Sequence, residues 1–448
     1  MRAPTLALLA AGLLLVTLVP SPLAAPGPAC LTLPGQGACV LPQQADLLPL
    51  GDPTLYAPDW PMYGHDLWGS HYNPSEVILN NLTVGGLTHL WHFGIPGGVA
   101  GATVMAKGVV YTESWSGHIY ALNAATGAKV WDANLRQTMS ASPAVANGIV
   151  YVTTLYPGNL VALTAATGRV LWQVPLDAVA EGWGSPVVVG DIVLVGQSGG
   201  DTGLSQPHAG SLQAFDGLTG TLLWRTYTSP QNIAGAPVWT TPAVLGGIAF
   251  VGTGNDFGWG NDVHSTAIQA INITTGDRLW MHHFADFGDE DFGASPQLFV
   301  SGGKVVLGEA QKLHYHALDP LTGDLYWTKV TGGDWTIGTP AVAYGTIYGS
   351  FGFGGGWWTS PNYATALSER TGAQQWVGGL AGSLSATAVA GNVAYFAEQN
   401  GNLRAYDAAS GAVLWSGHVN GGTYSGPVIA GGRMFEGSGS GVDAFGLV

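Results

Sequence analysis

The sequence predicts an all-β chain folded as an eight-bladed β-propeller whose two ends pair to close the ring. Three observations predict it: a tryptophan-terminated segment recurs along the chain, successive tryptophans stand 39 to 56 residues apart, and complementary half-repeats occupy the two ends. The recurring segments superpose without gaps at Ala121–Trp131, Ala162–Trp172, Ala214–Trp224, Ala270–Trp280, Ala317–Trp327, Ala366–Trp376 and Ala405–Trp415. Each has Ala first, Gly seventh and Trp eleventh. The turn between them offers a polar first residue and a glycine that can take positive φ, so the unit is strand, tight turn, strand. A second hairpin signal precedes each one, as in Pro143–Val152. Four short strands per repeat make one propeller blade.

Taken in order, residues 1–25 read as a secretory signal, with Arg2 ahead of an apolar core from Leu6 to Val19 and a small-residue site ending at Ala25. That core is short for a membrane-spanning helix. The chain is therefore expected to be exported, periplasmic or extracellular, with no integral membrane segment after signal cleavage. Cys30 and Cys39 would then meet an oxidising compartment, where a local disulfide is expected. Residues 26–58, rich in Pro and Leu, read as an irregular arm. From residue 59 to 448 no composition break divides the chain, so one propeller domain is expected. Trp91 has no Ala-turn segment before it, whereas Arg433–Glu436 and Gly441–Phe445 supply inner strands without a closing Trp. Joining these halves completes the eighth blade and removes an open sheet edge. The repeat tryptophans, at equivalent places, are expected to pack between neighbouring blades rather than to serve a ligand.

Charge excludes some partners. With 13 basic and 28 acidic side chains and a net charge of −15, the chain lacks the clustered cations that nucleic acid or an anionic membrane surface requires. Charged residues are only 9% of the chain and Gly contributes 69, a balance suited to strands and turns.

Function in a repeat fold is expected where the repeat is broken, on loops at one end of the channel. The longest intervals precede Trp224 and Trp280 and hold Gly199-Gly200-Asp201, Ala236-Pro-Val-Trp239 and Gly252-Thr-Gly-Asn255-Asp256. Beyond Trp280 stand Asp289-Glu290-Asp291-Phe and Gly308-Glu309-Ala-Gln-Lys312. Asn255 could serve a turn, and the acidic triplet could be a solvated loop. His282 and His283 alternate across a strand and cannot converge. His314 and His316 share a face but lack a third nearby ligand in sequence, so zinc is not expected.

The opening Asp59-Trp-Pro-Met-Tyr-Gly-His-Asp66, and the strings GAPVWTTP, GTGND, DEDFGASP and AQKLHYHALDP in that order, resemble the pyrroloquinoline quinone (PQQ) dehydrogenases. The likeness is strongest to the polyvinyl alcohol dehydrogenase-like branch and spans residues 58–448. It implies a propeller of quinoprotein type and an alcohol dehydrogenase that passes hydride from an alcohol to PQQ held with Ca²⁺. Trp239 would be the platform under the cofactor ring, and Lys312 would bond its quinone oxygens. Asn255, Asp201 and Asp291 would be metal ligands, with Asp291 also the general base. Asp201 stands where the family has glutamate, Ser140 where an arginine is expected, and the family's adjacent cysteine pair is absent. No C-x-x-C-H occurs, so an external electron acceptor is implied. The same repeat builds non-catalytic propellers, and the alternative is an exported binding or assembly scaffold with a protein or polymer at the channel mouth. Convergence of Asp201, Asn255 and Asp291 on one oxygen-lined point would favour the enzyme.

Overall fold

A computed structural model describes residues 59–177, 180–199, 207–256, 262–284, 291–332, 336–352 and 362–448. Among the described residues the strands form eight sheets, one per blade, each built on four antiparallel strands; in blades 1 to 7 these run outward in chain order, and the blade 7 sheet carries a fifth, parallel strand at its inner edge. Blades 1 to 7 begin at Val104, Ala144, Val187, Ala243, Gln297, Ala341 and Ala388. Blade 8 takes its three inner strands from Val428–Ala430, Arg433–Ser438 and Gly441–Gly446, and its outer strand from Thr88–Gly94 near the other end. Across that seam Trp91 stands opposite Ala444. The ring thus closes as the half-repeats predict. Among the described residues no helix is long and apolar enough to cross a membrane.

The repeat letters have a packing reason. The repeat Ala faces its own Trp across the two outer strands, as in Ala121 opposite Trp131 and Ala270 opposite Trp280, so the smallest side chain accommodates the largest. The indole then reaches the next blade. Its N–H donates to a turn carbonyl there, as from Trp91 to Ala124, Trp131 to Ala165 and Trp224 to Ile273, at 2.8–3.2 Å. The same donation from Trp415 to Leu87 links blade 7 to blade 8. The turn glycine lies flat against that ring: a Cβ on Gly168, whose φ is +70°, would come 2.4 Å from Trp131 Cε3.

Gly168→Ala should therefore cost about 2–4 kcal/mol, combining left-handed backbone strain with overpacking. Gly148→Ala is the control, because its φ is +77° and nothing lies within 4 Å of the added carbon. Urea denaturation of both checks the point. Equal losses would show that the ring contact contributes nothing.

Two further devices surround the channel. Where chains enter successive blades, each backbone N–H bonds a hydroxyl of the next: Ser142 to Ser185, Ser185 to Thr241, Thr241 to Ser295 and Ser295 to Thr339, at 2.9–3.3 Å. Residues 60–73 form a strap along the inner strands. Its backbone carbonyls accept from Val145, Val244, Leu298, Val342 and Val389 of blades 2, 4, 5, 6 and 7. Trp60 pairs both ways with Met105 of blade 1, and the Asn73 amide donates to Ile429 of blade 8. The strap so touches seven blades, buries Trp60 and holds Tyr63 half-buried inside the ring. It ends in a two-residue strand, Tyr72–Asn73, that runs parallel to the innermost strand of blade 7.

Candidate functional site

In an up-and-down blade, the loop between the second and third strands and the loop to the next blade open on the same end of the ring. Trp239 and Asp291 lie on loops between blades, and Asn255 and Lys312 lie on loops between second and third strands. The topology therefore carries all four to one mouth of the channel.

Asp291 and Lys312 meet as a buried ion pair, Lys312 Nζ 2.6 Å from Asp291 Oδ1, with side chains only 1% and 3% exposed. The Lys312 backbone N–H also donates to the Asp291 carbonyl at 3.2 Å. Asp291 is thus no solvated turn residue. The next residue ties this pair to the platform, since the Trp239 indole N–H donates to the Phe292 carbonyl at 2.8 Å. Gly254 approaches from blade 4, and a Cβ there would stand 3.1 Å from Asp291 Oδ2. The same Cβ would stand 2.7 Å from Pro237 Cγ, so the position favours glycine, and Asn255 follows it in the chain. The backbone of Asn255 is tied to Ala236, three residues before Trp239, by a 3.0 Å hydrogen bond. Asn255 lies outside the left-handed region, so a turn that needs asparagine does not explain it.

Asp291 and Lys312 are accordingly paired and tied to Trp239 through Phe292, and Asn255 is joined to the Trp239 loop through its backbone. The remaining sequence-predicted site residue, Asp201, lies outside the described residues, as do Asp289 and Glu290. Among the described residues no group of three or more His, Cys, Asp or Glu side chains could hold a metal ion. The donors present are one carboxylate and one amide oxygen, a hard-oxygen pair that suits Ca²⁺ by type and needs further oxygens to fill its shell. His316 has other work: it bonds Thr328 and Gln311 through its two nitrogens at 2.9 Å, and its ring packs tilted against Phe284. Burial holds its pKa down to about 3, so it stays neutral.

A cavity of ≈ 370 Å³ opens in the channel with Trp239 in its wall. Trp115, Trp183 and Tyr424 join it there, and so does Tyr63 of the strap, whose hydroxyl donates to Thr339 at 2.8 Å. Sequence reasoning missed Trp115 and Trp183. Seventeen tryptophans are more than eight docking places use, and that surplus was the available signal.

Sequence reasoning also missed a set of buried acids. Glu309 lies between blades 4 and 5 against Gly252, and neither carboxyl oxygen has a hydrogen-bond partner among the described residues. Burial alone pushes its pKa well above the usual range, so it is held as the neutral acid. Burial likewise raises Glu113, which accepts from the Gly101 N–H at 2.6 Å, to about 8. Glu436, which accepts from the Thr423 hydroxyl at 2.6 Å, is raised to about 8 by burial and then by nearby Asp443. An unfolded glutamate ionises near 4.5, so between that pH and about 8 the folded chain holds more protons than the unfolded one. Stability contributed by these groups is complete below about 4.5 and is lost as pH rises through about 8. The double variant Glu113→Gln/Glu436→Gln should flatten the fall in urea midpoint between pH 5 and pH 8. A fall as steep as in the parent chain would refute this assignment.

Comparison with known proteins places this geometry in context. The chain matches the PQQ_2 family model, described as outer membrane protein assembly factor BamB, over residues 63–212, 117–286, 264–351 and 360–445. The dehydrogenase subunit of alcohol dehydrogenase (quinone) from Gluconobacter oxydans is 27% identical over 345 residues, covering 63% of this chain and 44% of that protein. Polyvinylalcohol dehydrogenase from a Pseudomonas species is 25% identical, and the match covers 86% of this chain and 74% of that protein. The solved structure of quinohemoprotein alcohol dehydrogenase from Comamonas testosteroni superposes with a TM-score of 0.74 at 19% identity, covering 87% of this chain and 80% of that one. This last likeness is one of fold. The chain spans about half the length of the first curated relatives it matches, 44%, 51% and 50%.

Proposed function

The chain belongs to the PQQ-repeat, PQQ dehydrogenase-like family of β-propellers, and from that premise we propose that it is an exported alcohol dehydrogenase of quinoprotein type, dependent on PQQ and Ca²⁺. The observation that carries the reading is the buried Asp291–Lys312 pair at 2.6 Å, tied through Phe292 to Trp239. A structural ion pair could sit anywhere in the ring; this one lies at the mouth of the channel, on the loops where the repeat is broken.

Bound PQQ and its metal would supply the two-electron oxidant that takes an alcohol to a carbonyl. The chain's own residues divide the remaining work. Trp239 offers a flat apolar face, fixed at its edge by the bond to Phe292. Asn255, Asp291 and Asp201 would give oxygens to the metal. Asp291 takes the hydroxyl proton of the alcohol, a role for a carboxylate held ionised beside a cation. Lys312 keeps that carboxylate charged and offers N–H donors where negative charge develops. Residues 1–25 supply the export signal, and the electrons leave to an external acceptor.

The test is reconstitution of the purified chain with PQQ and Ca²⁺, followed by alcohol-dependent reduction of an artificial electron-accepting dye. Activity with any of a short primary, a secondary or a polymeric alcohol supports the reading. A second reading, a binding or assembly scaffold, is favoured by a cavity wall that holds no charged side chain among the described residues and by the family model's description. No dye reduction with any alcohol and no bound quinone would move the assignment there.

A further inference from the structure

Seven of the eight docking tryptophans, Trp91, Trp131, Trp172, Trp224, Trp280, Trp376 and Trp415, donate their indole N–H to a carbonyl of the next blade. Trp327 of blade 5 is the exception. The equivalent carbonyl belongs to Glu369, three residues after the repeat Ala366. Among the described residues the Trp327 N–H bonds neither that oxygen nor another acceptor, and it is not sealed from solvent. The packing beneath it also departs from the repeat. In five blades the residue opposite the repeat Ala on the second strand is an aromatic, Tyr111, Tyr151, Phe250, Tyr348 or Phe435, tilted at 40–50° to its Trp. In blade 5 that place is Gly308, and Tyr315 of the third strand lies against Trp327 instead, at 25°.

A cleft of ≈ 260 Å³ lies at this irregular junction of blades 5 and 6. It is lined by Tyr326 and Trp327 of the outer strand of blade 5, by Ser301 and Lys304 of that blade's first hairpin, and by Glu369 and Arg370 in the last turn of blade 6. Such hairpins and turns open on the end of the ring opposite the loops that carry Trp239, Asn255, Asp291 and Lys312. The Arg370 guanidinium reaches across to the hairpin, since a Cβ on Gly302 would stand 3.9 Å from its Nη2. The chain has only 13 basic side chains, and two of them stand here. Among the described residues neither forms a direct ion pair, unlike Lys129, Arg225, Lys312 and Arg404. Tyr326 is 41% exposed, and its hydroxyl donates to Asp319 at 2.7 Å, which steadies the ring. Burial raises the Glu369 pKa, offset in part by Ser301 and Arg370.

We propose that this cleft is a binding site for an acidic sugar residue, a hexuronate, held at the end of the ring away from the channel-mouth residues. An inorganic anion would meet the two cations but also the Glu369 carboxyl, and a neutral sugar would leave both cations unmatched. A pyranose ring that carries a carboxylate uses the whole set. Its acid pairs with Lys304 and Arg370. Its hydroxyls bond Glu369, Ser301 and the open Trp327 N–H. A C–H face of the ring lies on Tyr326. The volume is just under the ~300–1,000 Å³ usual for small-molecule sites, which suits one sugar ring.

Isothermal titration of the purified full chain with glucuronate, with glucose and sodium sulfate as controls, tests the assignment. Glucuronate should saturate with a Kd of about 1 mM, and both controls should bind at least about tenfold more weakly. Lys304→Ala/Arg370→Ala removes two exposed side chains, so it should leave the thermal midpoint unchanged while weakening glucuronate binding about tenfold. Tyr326→Ala should weaken it a few-fold. Sulfate bound as tightly as glucuronate would make the cleft a general anion site, and glucose bound as tightly would leave the cations without a role. Either result overturns the proposal, as does a folded double variant that binds like the parent, or a parent chain that takes up no glucuronate well above millimolar concentration. None of these outcomes bears on the quinone reading, whose residues lie at the other end of the ring.

Discussion

Asp291→Asn is expected to lower alcohol oxidation by the PQQ- and Ca²⁺-loaded protein about 10²- to 10⁴-fold, the usual contribution of a positioned general base. Asparagine keeps the shape of the side chain and an oxygen donor, so the loss is chiefly one of basicity. The geometry makes the prediction sharp, because the carboxylate is 1% exposed and lies 2.6 Å from the Lys312 ammonium. Solvent cannot readily take over its role. The measurement is the initial rate of dye reduction at saturating cofactor, with quinone content measured in parallel. A rate within a few-fold of the parent, at equal quinone content, would reduce Asp291 to a structural partner of Lys312.

Lys312→Met should be the most destabilising single substitution at the site, costing about 3–5 kcal/mol, because it leaves a buried carboxylate without the ammonium that offsets its desolvation. Methionine retains most of the side-chain volume, so the loss reports charge and not a cavity. The double variant Asp291→Asn/Lys312→Met should recover most of that stability while remaining inactive, since removal of both partners of a buried pair is often close to neutral. Urea denaturation of the two single variants and the double variant closes the cycle. A Lys312→Met chain as stable as the parent would mean that the carboxylate is not held as an ion in the unliganded protein.

The fold was largely legible in the sequence because each blade repeats one local solution. The Ala opposite its Trp, the Gly beneath the neighbouring Trp and the half-repeat at each end are short-range signals. The strap was not legible as structure. Residues 60–73 bind the inner strands mostly through backbone groups, which leave no side-chain pattern, and the parallel pairing of Tyr72 with Val389 joins residues more than 300 positions apart. At the site, Trp239, Asn255, Asp291 and Lys312 stood out as breaks in the repeat and through resemblance. Their convergence depends on blades 4 and 5 lying side by side, which the repeat supplies. Trp183 stayed hidden because its loop, between blades 2 and 3, carries no feature that separates a cavity wall from an ordinary connection. The buried acids Glu309, Glu113 and Glu436 were equally hidden, since glutamate is ordinarily solvated and rarely fully buried without a partner.

The proposed quinone and its metal would be held at the mouth that carries Trp239, Asn255, Asp291 and Lys312. The most direct measurement is the thermal midpoint of the purified protein with PQQ, with and without Ca²⁺. A ligand at about one hundred times its Kd stabilises the folded state by roughly 2.7 kcal/mol. The expected result is a rise in midpoint that requires both PQQ and Ca²⁺ and that Asn255→Ala abolishes. An unchanged midpoint at quinone concentrations far above micromolar, with Ca²⁺ present, would contradict it.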